Sequence, residues 1–269
     1  MLSVLLAASI AWVGNEVDWE AKAGSGLIGH SLELANLTRE AHLRGRKLSA
    51  MLAALVLASL GALLSEPTRH SYHALRHGQS LANVEGVISS NPDVATREHG
   101  LSELGLQQAA AAAADVAAAV DAENCRGVAI YTSDFKRAAE TAETVHAALR
   151  ADGVAVWPAD GPRREVLLRE RWFGEFDGGA DSEYATVWAD DARDAGHTRY
   201  GVESVESVLA RGDELVARID ASAEHEGRWL VLLVAHGDVL QILQSGFAGR
   251  DPREHRSLAH LPTATLRAL

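Results

Sequence analysis

Three short apolar runs in this chain each end abruptly in polar residues, and this repeated ending constrains the fold more than any other feature. Residues 71–75 lead into Arg76-His77-Gly78, 127–132 into Ser133-Asp134-Phe135-Lys136-Arg137, and 231–235 into His236-Gly237. Runs 127–132 and 231–235 show no polar alternation, and 71–75 is short, carries Tyr72 and ends in apolar residues, so all three are read as strands of a buried parallel sheet covered by helices. The polar groups then fall at the C-terminal ends of the strands, where open α/β sheets place their ligands. A fourth run, 166–168, is read as short and extended and brings Glu170 to the same edge.

Between these runs the sequence predicts helices. Ser102 is placed to cap a helix whose Ala-rich stretch 109–120 is a strong helix former. Segment 134–151 carries Ala138, Ala142, Val145 and Ala148 near helical spacing, and 205–221 reads as a further helix. Strands are expected at 154–157 and 263–269, while 84–99 reads as an irregular loop able to cover the site. The acidic stretch 176–200 is read as loop-prone, with Tyr184 and Trp188 as buried anchors and its carboxylates as a solvated face. This alternation predicts a three-layer α/β/α sandwich on a mostly parallel sheet of roughly six strands.

Composition limits the partners. A formal net charge of -12 argues against broad electrostatic binding to nucleic acid, so an anionic substrate must be drawn by local positive charge. The lone Cys125 excludes an intramolecular disulfide and a Cys-rich metal site. A length of 269 residues suits one domain of roughly 200 residues with an extension.

That extension, residues 1–67, is divided from a catalytic domain over 68–269 by Glu66-Pro67. Its segment 48–64 is apolar throughout and follows Arg44, Arg46 and Lys47. About 17 residues is the lower limit for a membrane span. The segment is therefore read as a membrane anchor, a signal if translation starts at Met51, a helix packed on the domain, or an unstructured leader. Cytoplasmic and membrane-attached or organellar placements both stay open.

The residue types at the strand ends suit phosphoryl transfer. Arginine offers a planar fork of donors for phosphate oxygens, and a histidine ring nitrogen can attack phosphorus. The ordered set Arg76-His77-Gly78, Ser133-Asp134-x-x-Arg137-Ala138-x-x-Thr141, Leu168-x-Glu170 with Phe173-Gly174, and His236-Gly237 resembles the histidine phosphatase superfamily, also called the phosphoglycerate mutase-like family. Asn83 and the segment 100–109 are similar to family features as well, and the likeness runs from about Tyr72 to the C-terminus. The resemblance implies the same sandwich, with one strand antiparallel. It implies His77 as nucleophile, Glu170 as proton donor and then base, and Arg76, Arg137 and His236 as phosphoryl ligands. Asn83, Gln79 and Gly237 would line the phosphate pocket, with neither metal nor cofactor required.

Glu170 and Glu203 lie only 33 positions apart, a segment short for a bisphosphoglycerate-dependent mutase of the family. The expected function is metal-independent hydrolysis of a small phosphorylated metabolite through a phosphohistidine. A cofactor-dependent phosphoglycerate mutase and a non-catalytic phospho-ligand binding protein are the alternatives. Neither the natural substrate nor the oligomeric state is encoded legibly.

Overall fold

The computed structural model describes residues 68–269, and the expectations for the N-terminal extension, including segment 48–64, lie outside them. Among the described residues no helix is long and apolar enough to cross a membrane. The strands are β1 (Ser71–Arg76), β2 (Val128–Thr132), β3 (Val156–Trp157), β4 (Arg163–Arg164), β5 (Leu230–Ala235) and β6 (Leu266–Ala268). They form one sheet in the order β3-β2-β5-β1-β6, with β4 also pairing on β2. All pairings are parallel except β1 with β6. The sandwich with one antiparallel strand is thus as expected.

The central strands show why the sheet is parallel and internal. Every residue of β5 is buried, and successive side chains enter opposite layers. Leu230, Leu232 and Val234 join Leu75, Val128 and Ile130 on one face, whereas Val231, Leu233 and Ala235 join Ala74, Ala129 and Tyr131 on the other. Each fully buried Val or Leu contributes about 1.5–3 kcal/mol, so a strand apolar on both faces is driven to the middle of the sandwich.

Helices α3 (Glu103–Ala122) and α4 (Lys136–Ala151) cover the first face. Ala109, Ala112, Ala113, Ala138 and Ala142 are all buried there, and such small side chains let backbones approach closely. Helices α6 (Val205–Asp220) and α7 (Gly237–Phe247) cover the second, through Val208, Leu215, Ile219, Val239 and Leu243. Ser102 and Ser204 cap α3 and α6 by accepting from Gly105 N and Ser207 N.

Several local expectations are corrected. Residues 166–168 form a 3₁₀ turn instead of an extended run. The segment 84–99 is not wholly irregular: α1 (Leu81–Glu85) runs into it, and α2 (Pro92–Ala95) starts at Asn91, whose side chain accepts from Asp93 N while Pro92 takes the first helical position. The acidic stretch contains α5 (Tyr184–Asp191), and Asp190 and Asp191 are buried instead of solvated. The last strand is shorter than 263–269, because Ala264 turns with a φ of 52° before β6 begins.

Candidate active site

The predicted groups converge at the C-terminal edge of β1, β2 and β5. His77 follows β1, and its backbone N–H still donates to Ala235 O, so the nucleophile candidate is locked to the last residue of β5. Gly78 comes next because nothing larger fits: a Cβ there would lie 2.4 Å from Gly105 O at the start of α3. The Gly78 N–H donates to Thr141 Oγ1, and that hydroxyl donates in turn to Arg137 O. Thr141, four residues after Arg137, thereby fastens the His77 turn to α4.

His77 is buried and its hydrogen bonds define its tautomer. Nδ1 lies 2.7 Å from Gly78 O, a group that only accepts, so Nδ1 carries the proton. Nε2 is left with its lone pair and accepts from Arg137 Nε at 3.2 Å. Burial, then the charges of Arg137 and Arg76, push the His77 pKa well below the ordinary range, while the bond to Gly78 O acts weakly against them. The ring is held neutral with its nucleophilic nitrogen facing a cation.

His236, the cap residue of α7, is also fully buried, and its ring centroid lies 5.3 Å from that of His77. Its Nε2 meets Ser133 Oγ at 2.9 Å, and its Nδ1 has no partner among the described residues. Burial lowers its pKa, with Arg137 and His77 adding to the effect. Arg76 lies against Gly237, where a Cβ would stand 3.2 Å from its Cζ. The Arg76 guanidinium donates to Leu261 O at 3.0 Å, but its buried Nε is unpartnered among the described residues. Arg137 donates to Ser89 O at 2.9 Å. Buried Arg137 and half-buried Arg76, neither bonded to a carboxylate among the described residues, stand beside a buried histidine with an idle ring nitrogen, a donor set suited to an anion.

Glu170 completes the group. Its Oε1 accepts from Arg171 N at 3.0 Å, and burial raises its pKa to about 7 although Arg137 and Arg76 pull it down; Asp238 pushes it further up. Such a carboxyl is poised to give and to take a proton near neutrality.

The remaining predicted residues are placed differently. Gly237 supports Arg76. Gln79 accepts from Ser102 Oγ with its side chain and donates its backbone N–H to Gln108, so it braces the start of α3. Asn83 is exposed, and its Oδ1 accepts from Ser80 N in a capping box on α1. Sequence reasoning missed Ser89, which holds Arg137, and took Tyr184 only as an anchor, although its hydroxyl is influenced by Glu170 and Arg137. It also missed a buried network beneath Glu170. Arg171, fully buried, donates to both oxygens of Asp191 at 2.7 Å, to Asp238 at 3.2 Å and to Glu203 O at 2.6 Å. Only the adjacency of Arg171 to Glu170 and of Asp238 to His236-Gly237 could have signalled it.

These observations define an α/β protein with a cation-lined pocket built around two histidines at strand ends. The chain belongs to the histidine phosphatase superfamily (branch 1), whose family model matches residues 73–269. A solved mycobacterial hydrolase is 28% identical, with 73% of this chain and 87% of that one covered and a TM-score of 0.57. A mycobacterial glucosyl-3-phosphoglycerate phosphatase in complex with VO3 is 27% identical, covering 73% and 90%, with a TM-score of 0.57. YhfR of Bacillus stearothermophilus is 25% identical, covering 73% and 89%, with a TM-score of 0.55. A comparison of the sequence with curated proteins finds no match.

Proposed function

We propose that the protein is a metal-independent phosphomonoester hydrolase that works through a phosphohistidine on a small phosphorylated metabolite. The observation that carries this reading is the single-tautomer His77, its Nε2 free of a proton beside Arg76 and Arg137, neither bonded to a carboxylate among the described residues. The phosphatase named among the similar structures supports it.

The phosphoryl group fits between Arg76, Arg137 and His236, whose N–H groups donate to its oxygens. His77 Nε2 attacks phosphorus, the bond to the leaving oxygen breaks, and that oxygen takes the proton of Glu170. Ionised Glu170 then accepts a proton from water, which attacks phosphorus as the P–N bond breaks, returning neutral His77 and free phosphate. Guanidinium groups supply the charge that metal ions provide in other phosphoryl-transfer sites.

The test is phosphate release from p-nitrophenyl phosphate by the full chain with EDTA present, alongside acid-quenched labelling of the protein by ³²P-phosphate ester. Release that survives EDTA, with an acid-labile phosphoenzyme absent from His77→Ala, is expected. Turnover retained in His77→Ala would sink the proposal. Isomerisation of 3-phosphoglycerate that needs 2,3-bisphosphoglycerate, without net hydrolysis, would replace it with a mutase.

A further inference from the structure

Beside Glu170 a cleft of about 280 Å³ opens to solvent, at the small end of ligand-pocket sizes. His77 is not among its walls; Glu170 is, and so are Val166, Arg169, Trp172, Glu203 and Arg211. In the proposed reaction Glu170 protonates the leaving oxygen, so the rest of the substrate must extend from Glu170 away from the phosphoryl pocket. The cleft is the space available there.

Its electrostatics differ sharply from those of the phosphoryl pocket. Arg169 is paired with both oxygens of Asp134, at 2.8 and 2.6 Å. Arg211 is paired with both oxygens of Glu203, at 3.0 and 3.2 Å, and also donates to Leu167 O. Each arginine in the wall is thus neutralised by its own carboxylate, and Glu170 adds negative charge whenever it ionises. A second phosphate or a carboxylate on the substrate would meet no free cation among the described residues of the wall, and a net repulsion. Hydroxyl groups would fare better, since the guanidiniums keep unused N–H donors and Glu203 keeps acceptor capacity. Trp172, 38% exposed, and Val166, 56% exposed, supply apolar surface of the kind a carbon ring or chain covers.

We propose that this cleft is the leaving-group subsite and that it selects phosphomonoesters whose leaving group is uncharged and hydroxyl-bearing, a sugar or polyol, against substrates with a second anionic group. This rests on the hydrolase reading above. The experiment separates the two. First, kcat/KM is measured on the wild-type chain for hexose 6-phosphates and glycerol 2-phosphate against 3-phosphoglycerate and 2,3-bisphosphoglycerate. A preference of about tenfold or more for the neutral tails is expected. Second, calorimetry on His77→Asn, which cannot turn over, compares a hexose 6-phosphate with inorganic phosphate. The sugar should tighten binding by about tenfold, and His77→Asn/Trp172→Ala should lose that gain while still binding phosphate. Absence of any hydrolysis by wild type would overturn the hydrolase reading. Preference for phosphoglycerates, or equal affinity for sugar phosphate and phosphate, would overturn the subsite assignment.

Discussion

Two arginine centres adjoin Glu170, one around Arg171 and one around Arg76 and Arg137, and they are opposites. Around Arg171 the charge is closed: Asp191 takes two of its N–H groups, Asp238 and Glu203 O take others, and His197 Nε2 meets Asp191 Oδ1 at 2.7 Å. Around Arg76 and Arg137 the charge is open, with no carboxylate bonded to either and with Arg76 Nε and His236 Nδ1 idle among the described residues. Burying an uncompensated cation is costly, so the open centre is strained toward a ligand while the closed one holds the fold. The same residue type therefore does opposite work, and the difference lies in its partners.

The comparison breaks most visibly in stability. Arg171→Met takes from buried Asp191 and Asp238 the guanidinium they share, leaving Asp191 with His197 and Asp238 with Trp188 Nε1, and is expected to cost about 3–5 kcal/mol. Arg76→Met should change stability by no more than about 1 kcal/mol, because losing the bond to Leu261 O is offset by removing a desolvated charge. Urea denaturation of both variants checks this, and equal destabilisation would erase the distinction between the two centres.

Ligand linkage sharpens it next. Inorganic phosphate at one hundred times its dissociation constant should stabilise wild type by about 2.7 kcal/mol. The gain should vanish in Arg76→Met, read by thermal unfolding with and without phosphate. Retention of the full shift in Arg76→Met would place the anion elsewhere.

How much of this was readable beforehand follows the same division. The open centre announces itself because each of its members stands at the end of an apolar run: His77 after β1, Arg137 after β2, His236 after β5. Topology does the gathering, and strand ends are legible locally. The closed centre is not legible, since Arg171, the pair Asp191 and His197, and Asp238 come from three separate segments with no shared pattern. Asp190 and Asp191 sit in an acidic stretch whose neighbours are exposed, so composition points the wrong way for them. Asn83 shows the reverse limit. Its type suits a phosphate ligand, yet its oxygen serves the capping box with Ser80.

Glu170 stands between the centres and titrates under both. Its pKa of about 7 is raised mainly by burial, and Arg137 and Asp238 oppose one another. The protonated form is the acid, so kcat/KM should fall about tenfold per pH unit above 7. His77, whose pKa is lowered, stays neutral into the acid range and gives no limb near 6.5. Glu170→Gln should flatten the alkaline limb at reduced rate. A limb that persists in the variant would assign the ionisation to another group.

The smallest effects make the closest comparison, because each centre has one residue that positions a partner through a single hydrogen bond. Ser133 Oγ accepts from Phe135 N at 3.2 Å and holds His236 Nε2 in the open centre. His197 braces Asp191 in the closed one. A single neutral hydrogen bond contributes about 0.5–1.5 kcal/mol. Ser133→Ala frees the His236 ring to rotate, so phosphate affinity should weaken by the corresponding factor, about two- to twelvefold, with the urea midpoint almost unmoved. His197→Gln removes a bond that no ligand uses, so the midpoint should fall while phosphate affinity holds. Calorimetry and denaturation on the same two proteins give four readings. A crossed pattern ties ligand binding to the open centre and stability to the closed one. If both variants lose affinity together, the centres are coupled through Glu170 and Arg171, and their division of labour fails.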